Sequence, residues 1–96
     1  MIKHVVCFKL KDNSTDAVEK ATNVLYGMVT KIPTIWGIEI GQDELHSERS
    51  YDIILQVVVE DMKALEEYQN HPYHVNVVKK YMNEHAINSI TVDYDC

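Results

Sequence analysis

The segment Glu67-Tyr68-Gln69-Asn70-His71-Pro72-Tyr73-His74-Val75 gathers more side chains able to do chemistry than any other stretch of the chain. Two histidines flank a proline, with one tyrosine just before them and another between them. Imidazole can give or take a proton near neutral pH, because its ordinary pKa is about 6.5. A neighbouring tyrosine hydroxyl can polarise a carbonyl or orient a base. A histidine at a helix break can also bond a backbone group and cap the helix end. A structural role for His71 and His74 therefore stands beside the chemical one.

Other residues offer less. His4 lies in the apolar row of the first strand, where a lone histidine suits a hydrogen-bonded core position, and gains interest only if the fold brings His74 near. His46 and His85 fall in a polar loop and near a helix end, as surface residues do. Trp36, on the second strand, is of a size to line a cavity or fill a core. His71 and His74 have no cysteine or carboxylate nearby to complete a ligand spacing, so no metal is expected. The glycines, Gly27, Gly37 and Gly41, form no phosphate-cradling loop. Cys7 sits inside a strand and Cys96 at the last residue, with no visible activating base. Two such cysteines make no disulfide framework and suit a reducing cytoplasm.

These residues are positioned by six elements. Ile2 to Leu10 alternates as a strand, with Ile2, His4, Val6, Phe8 and Leu10 on one face and Lys3, Val5, Cys7 and Lys9 on the other. After a turn at residues 11–14, the recurrence of Val18, Ala21, Leu25, Met28, Val29 and Ile32 predicts a helix from about Thr15 to Lys31, ended by Pro33. A second strand is expected over Ile35 to Gly41, and a polar loop over Gln42 to Ser50. The third strand, Tyr51 to Val59, is apolar apart from Asp52 and Gln56, as in strands covered on both faces. Asp61 can cap a short helix carrying Met62, Ala64, Leu65 and Tyr68. Asn70-His71-Pro72 interrupts it, and Pro72 is suited to open a second helical segment. Ile87 to Tyr94 closes the chain as a strand, Asn88, Ile90, Val92 and Tyr94 alternating with Ser89, Thr91 and Asp93.

The order strand, helix, strand, strand, helix, strand predicts an α+β fold: a ferredoxin-like βαββαβ unit with a four-stranded antiparallel sheet and both helices on one face. The 96 residues make one domain, residues 1–96. A domain this small buries about 60–65% of its unfolded surface, so it gains from association. The uncovered sheet face would present Val5, Cys7, Ile54 and Val58, an apolar surface that an identical face can cover by closed two-fold symmetry. A homodimer through the sheet face follows. A net charge of −6 argues against nucleic acid as a partner. No apolar run approaches the roughly 18 residues of a membrane span, and Met1-Ile2-Lys3-His4 enters a strand directly, without a signal peptide.

With these residues in place, the chain resembles the stress-responsive A/B barrel family (Dabb) of dimeric α+β barrels over essentially its whole length. The opening Ile2-Lys3-His4-Val5-Val6-Cys7-Phe8, the middle Tyr51-Asp52, and the closing Val92-Asp93-Tyr94 all carry the likeness. Its most specific part is Tyr68 followed by His71-Pro72-Tyr73-His74-Val75, similar to the family's tyrosine and H-P-x-H-V motif. The resemblance implies two ferredoxin-like protomers packed sheet to sheet in a dimeric α/β barrel. A cyclase-like minority of the family closes linear polyketides by intramolecular aldol chemistry without metal or cofactor. By position, its base would be His74 and the assisting tyrosine Tyr68, with His4 and Tyr26 matching further pocket residues. The chain departs from that minority at Ile53, where a further histidine stands, and at Asn76-Val77-Val78, which replaces a smaller, glycine-containing stretch.

Three readings follow. The first is a homodimer holding a small apolar or carbonyl ligand between sheet and helices, with His74 and Tyr68 as its polar groups and His4, Tyr26, Trp36 and His71 nearby. The second is a cofactor-independent cyclase or lyase with His74 as general base. The third is a purely structural stress protein.

Overall fold

Alternation along four segments and three- to four-residue spacing along two others produce a sheet with one helical layer. The computed structural model describes all 96 residues. The elements are β1 (Ile2–Leu10), α1 (Thr15–Tyr26), β2 (Gly37–Gln42), β3 (Ile53–Val59), α2 (Met62–Asn70), α3 (Lys80–His85) and β4 (Ala86–Asp95). A 3₁₀ turn, Gly27–Thr30, extends α1, and a π-helical segment, His74–Lys79, leads into α3. The strands lie in the order β2-β3-β1-β4 and every pairing is antiparallel. This is the expected ferredoxin-like arrangement.

Period-two alternation decides which face carries the core. On β3, Ile53, Leu55, Val57 and Val59 are buried while Ile54, Gln56 and Val58 are not. Val6 and Leu10 join them from β1, and Val18, Ala21, Leu25, Met28, Ile32, Leu65, Tyr68, Val78 and Met82 close over them. Helix α1 packs on β2 and β3, and α2 on β1 and β3. Strand β4 has little cover, and only Ala86 is even partly buried along it. On the other side of the sheet, Cys7 pairs between Ile54 and Ile90, and Val5 between Gln56 and Val92. Ile90 and Val92 are 53% and 61% exposed, so this face is apolar and uncovered in the single chain.

Local signals read from the sequence account for the helix starts. Ser14 Oγ accepts from Ala17 N at 3.3 Å, and Asp61 Oδ1 from Ala64 N at 2.8 Å. Each satisfies a backbone donor that the first turn leaves free. Pro72 opens the second helical stretch, as its fixed φ favours. Buried Asp52 accepts from Leu10 N at 2.7 Å and its own N–H donates to Phe8 O at 2.8 Å, which ties the loop before β3 to the end of β1.

The boundaries depart from expectation by two residues or more at three places, and by one residue at the end of β2 and both ends of β4. The α-helix stops at Tyr26; Met28 and Ile32 still reach the core from the 3₁₀ turn and the residues after it, but Val29, expected in the same apolar stripe, is half exposed because the tighter turn breaks the helical spacing. β2 begins at Gly37, two residues late, because Ile35 N is still bonded to Ile32 O in a turn. β3 begins at Ile53, because Asp52 is engaged by the end of β1.

Gly27 marks the close approach that shapes this region. A Cβ at Gly27 would collide with the hydroxyl of Tyr73. Alanine normally favours a helical site over glycine by about 1 kcal/mol, whereas overpacking costs about 1–3 kcal/mol. Gly27→Ala should therefore destabilise the protein in a urea titration, and the same change in a Tyr73→Phe background should be neutral or stabilising. Stabilisation by Gly27→Ala alone would mean that Tyr73 moves aside freely and the contact constrains nothing.

Candidate functional site

The sparse cover over β4 leaves a cleft of about 500 Å³ between the sheet and the second helical layer. Its floor is made by His4, Val6 and Phe8 of β1, Leu55 of β3, and Ser89 and Thr91 of β4. Its wall is the end of α2, the π-helical segment and the first turn of α3, from Tyr68 through His74 and Val78 to Met82 and Asn83. A second hollow of about 390 Å³ lies near Leu10 and the start of α1. Lys11, Lys20, Asp12, Asp16 and Glu84 line it, and charges of both signs in one open recess are solvated rather than arranged for one ligand.

Three of the residues singled out in the sequence meet at the cleft. The Tyr68 ring lies edge-on to His4, with centroids 5.5 Å apart, and tilted against His74 at 4.8 Å. The local sequence dictates this. Helix α2 ends at Asn70, and the His71 that caps it has an extended backbone (ψ 136°) ahead of Pro72, as the residue before proline prefers. The His71 Nδ1 accepts from Tyr73 N at 3.1 Å and so caps the next segment. The chain resumes as helix from Pro72, and His74 in it lies beside Tyr68.

His74 is held in one tautomer. Its Nδ1 lies 2.9 Å from the Gln69 carbonyl oxygen. A carbonyl can only accept, so Nδ1 carries the proton and Nε2 keeps its lone pair, with no protein partner. Burial lowers the His74 pKa from its ordinary value; the Gln69 bond opposes this, and the neighbouring basic side chains of His4, Lys79 and His71 add to the lowering. The ring is therefore neutral at pH 7, with a fixed basic nitrogen.

Tyr68 is wholly buried, and its hydroxyl donates to Met28 Sδ at 3.5 Å. Burial first, and then the negative charge of Asp93, push its pKa far above that of an ordinary phenol. His4, also buried, donates from Nδ1 to Asp93 Oδ1 at 2.5 Å. The two lie opposite each other in the β1–β4 register. Asp93 was not singled out in the sequence, although the alternation of β4 places it on the helix side with Thr91. Lys79 and Asn83 were missed as well, because the π-helical segment shifts which side chains face the sheet.

The remaining candidates lie apart from this group. Tyr26 ends α1 at 44% exposure, Trp36 precedes β2 at 70%, and neither lines the cleft. His71 is engaged in its cap and is also outside the lining. Ile53 is buried in the core. His85 stacks on Tyr81 with centroids 4.0 Å apart and bonds its backbone oxygen at 2.8 Å. No group of three or more histidine, cysteine or acidic side chains is placed to hold a metal ion, and no helix is long and apolar enough to cross a membrane.

A single antiparallel sheet under one helical layer, with a histidine-bearing cleft at the helix break, defines an α+β domain of ferredoxin-like type. The profile of the Stress responsive A/B Barrel Domain matches residues 2–96, and the chain belongs to that family. It is 30% identical over 77 residues to olivetolic acid cyclase of Cannabis sativa, covering 77% of this chain and 76% of that one. In structure it is similar to a dimeric protein of unknown function with a ferredoxin-like fold from Bacteroides fragilis. That likeness has a TM-score of 0.81 and 27% identity, and covers 99% of this chain and 95% of the other. A dimeric ferredoxin-like protein of unknown function from Thermobifida fusca superposes with a TM-score of 0.84 at 21% identity, over 99% and 90% of the two chains.

The lowered His74 pKa sets a pH dependence. A histidine that is harder to protonate folded than unfolded destabilises the native state in acid, where the unfolded chain takes up the proton first. Its penalty is absent well above the unfolded value, about 6.5, and grows as pH falls through it. Relative to His74→Gln, wild type should therefore lose stability between about pH 7 and pH 5, the window following from that unfolded value. Equal pH profiles for the two proteins would show that burial does not act on this ring.

Proposed function

We propose that this protein is a homodimer that holds a small, mostly apolar or carbonyl-bearing ligand in the cleft between sheet and helices, with His74 as its principal polar contact. The setting it fits is the cytoplasm. The observation that carries the reading is the fixed tautomer of His74: a neutral imidazole with a free Nε2, at the edge of a cleft floored by Val6, Phe8 and Leu55. Ligand sites commonly combine an apolar lining with a few polar groups held in place. Tyr68 serves as the platform that sets the His74 ring, since its hydroxyl is occupied by Met28.

A second reading is favoured by the same nitrogen and by the likeness to olivetolic acid cyclase. A neutral His74 with a depressed pKa suits removal of a proton α to a carbonyl, the step that opens a cofactor-independent aldol cyclisation or lyase reaction. His74 Nε2 would take the proton. Ile53, buried and apolar, offers no second base from β3.

The dimer rests on the uncovered face. Val5, Cys7, Ile54, Val58, Ile90, Val92 and Tyr94 form an apolar surface that no part of the single chain covers, and the solved Bacteroides fragilis and Thermobifida fusca relatives are dimeric. Light scattering at micromolar concentration should give twice the mass of one chain, and Val92→Lys should shift it toward the monomer. A wild-type monomer would sink the assembly.

The ligand reading is tested by thermal shift over a broad metabolite panel that includes polyketide-like and aromatic acids, against wild type and His74→Ala. A ligand at about a hundred times its Kd adds about 2.7 kcal/mol, a rise of about ten degrees or more in a domain this size. The expected hit stabilises wild type and leaves His74→Ala unmoved. A hit that stabilises both equally would place binding away from His74, and an unresponsive wild type would favour the purely structural role.

A further inference from the structure

The charge distribution around the cleft is at odds with that of the chain. Fifteen acidic residues oppose nine lysines and arginines, for a net charge of −6. Yet the cleft lining contains no aspartate or glutamate, and its one fully charged side chain is Lys79. Like the other lysines and arginines of the chain, Lys79 takes part in none of the three ion pairs, which join Met1 to Asp95, His4 to Asp93 and His46 to Asp43, so what sets it apart is its place in a lining free of carboxylates. Asp93, paired with His4 of the floor across β1 and β4, has its carboxylate bonded to that histidine. Gln69, Asn70 and Asn83 add side-chain amides to the lining. None of these three amides has a hydrogen-bond partner within the protein, although the Gln69 backbone oxygen serves His74. Apolar side chains of floor and wall, Val6, Phe8, Leu55, Val78 and Met82, make up much of the rest of the lining.

From this arrangement we infer that the ligand is a small amphiphile ending in a carboxylate, whose apolar body lies on the sheet and whose head is held by Lys79 and the rim amides. The inference rests on the cleft being a ligand site, as proposed above. An ammonium without a protein partner, beside free amide donors and with no carboxylate among them, is complementary to an anion and not to a cation. A carboxylate accepts several such donors at once, and charge-assisted bonds of this kind are stronger than neutral ones. The proximity of Lys79 is also felt at His74, whose protonation it disfavours. A carboxylate bound between them would compensate that repulsion, and it would fix the ligand's orientation by placing its head at the rim and the carbons behind it within reach of His74.

Three probes of one shape separate charge from apolar burial: 4-phenylbutanoate, 4-phenylbutan-1-ol and 4-phenylbutylammonium. Each is titrated by NMR into wild type and Lys79→Gln at pH 7.5 and low salt, following the His74 ring and the Val78 and Met82 methyls. Because Lys79 is exposed, its substitution leaves the core intact. Wild type should bind the carboxylate about tenfold more tightly than the alcohol, and the ammonium most weakly, an advantage that rising salt erodes. Lys79→Gln should remove the carboxylate's advantage and leave the alcohol's affinity unchanged. Equal affinities for carboxylate and alcohol in wild type, or an advantage that survives Lys79→Gln, overturns the inference while the cleft remains a binding site. If no probe moves these signals in either protein, the cleft reading fails and the inference with it.

Discussion

The burial of one phenol ring organises the site. Tyr68 lies under the helical layer with no solvent exposure, and its neighbours come from four separate parts of the chain: His4 on β1, Met28 in the turn after α1, His74 beyond the helix break, and the core residues below. A buried hydroxyl without a partner is costly, and a thioether is a weak acceptor. The contact with Met28 therefore matters less as a bond than as the fixed end of the ring. With that end fixed, the ring meets His4 in an edge-type contact and His74 in a tilted one. The two imidazoles are set by a common wall, and each has its Nδ1 occupied, one by a carboxylate and one by a carbonyl. Both rings are thereby oriented before any ligand arrives, and this removes part of the ordering cost of binding.

The same economy of cover explains the two surfaces left open. Two helical layers' worth of apolar side chains would be needed to bury both faces of a four-stranded sheet, and the chain has one. The helix-side residues of β2, β3 and β1 take most of it. What remains is the edge of the covered face over β4, which becomes the cleft, and the whole opposite face, which becomes the proposed dimer surface. The first is lined by Ser89 and Thr91, polar enough to stay wet. The second carries Ile90, Val92 and Tyr94, which are not. Alternation along β4 thus sorts its residues by purpose, polar toward the cleft and apolar toward the sheet's open side.

Much of this was legible from spacing alone. The apolar rows of β1 and β3 and the stripe of α1 have long-range periodicity, and these determine the layer order whatever happens at the element ends. The ends obeyed contacts that no local pattern shows. Where α1 gives way to a 3₁₀ turn, Gly27 leaves room for Tyr73, 46 positions on, a contact that local periodicity does not reveal. β3 started after Asp52 because that carboxylate is bound by the far end of β1. At the site, Tyr68, His74 and His4 could be named from residue type and motif, but which atoms are spent could not. The Tyr68 hydroxyl turns toward Met28, and Tyr26 and Trp36 stay at the surface, since a pocket match by sequence position says nothing about the rotamer or the local turn. Lys79 was hidden by the π-helical segment, where the spacing of four and three that locates a helix face no longer holds.

The boundary between a binding protein and an enzyme is narrow in such a site, and the reason is physical. The fixed, uncharged His74 that would accept a hydrogen bond from a ligand is the same group that would accept its proton, and nothing in the protein need change between the two cases. What differs is the acidity and placement of the ligand's own C–H bond. A carbonyl compound whose α-carbon comes within hydrogen-bond reach of Nε2 meets a base already desolvated and held in the correct tautomer. One whose carbonyl or hydroxyl occupies that position is simply held. If the proposed ligand occupies the cleft, residues that line it, such as Val78 on the wall and Lys79 at the rim, would set its depth and direction and so decide which outcome follows. Variation at such positions on a common buried scaffold would allow one fold to host both catalysis and binding without turnover.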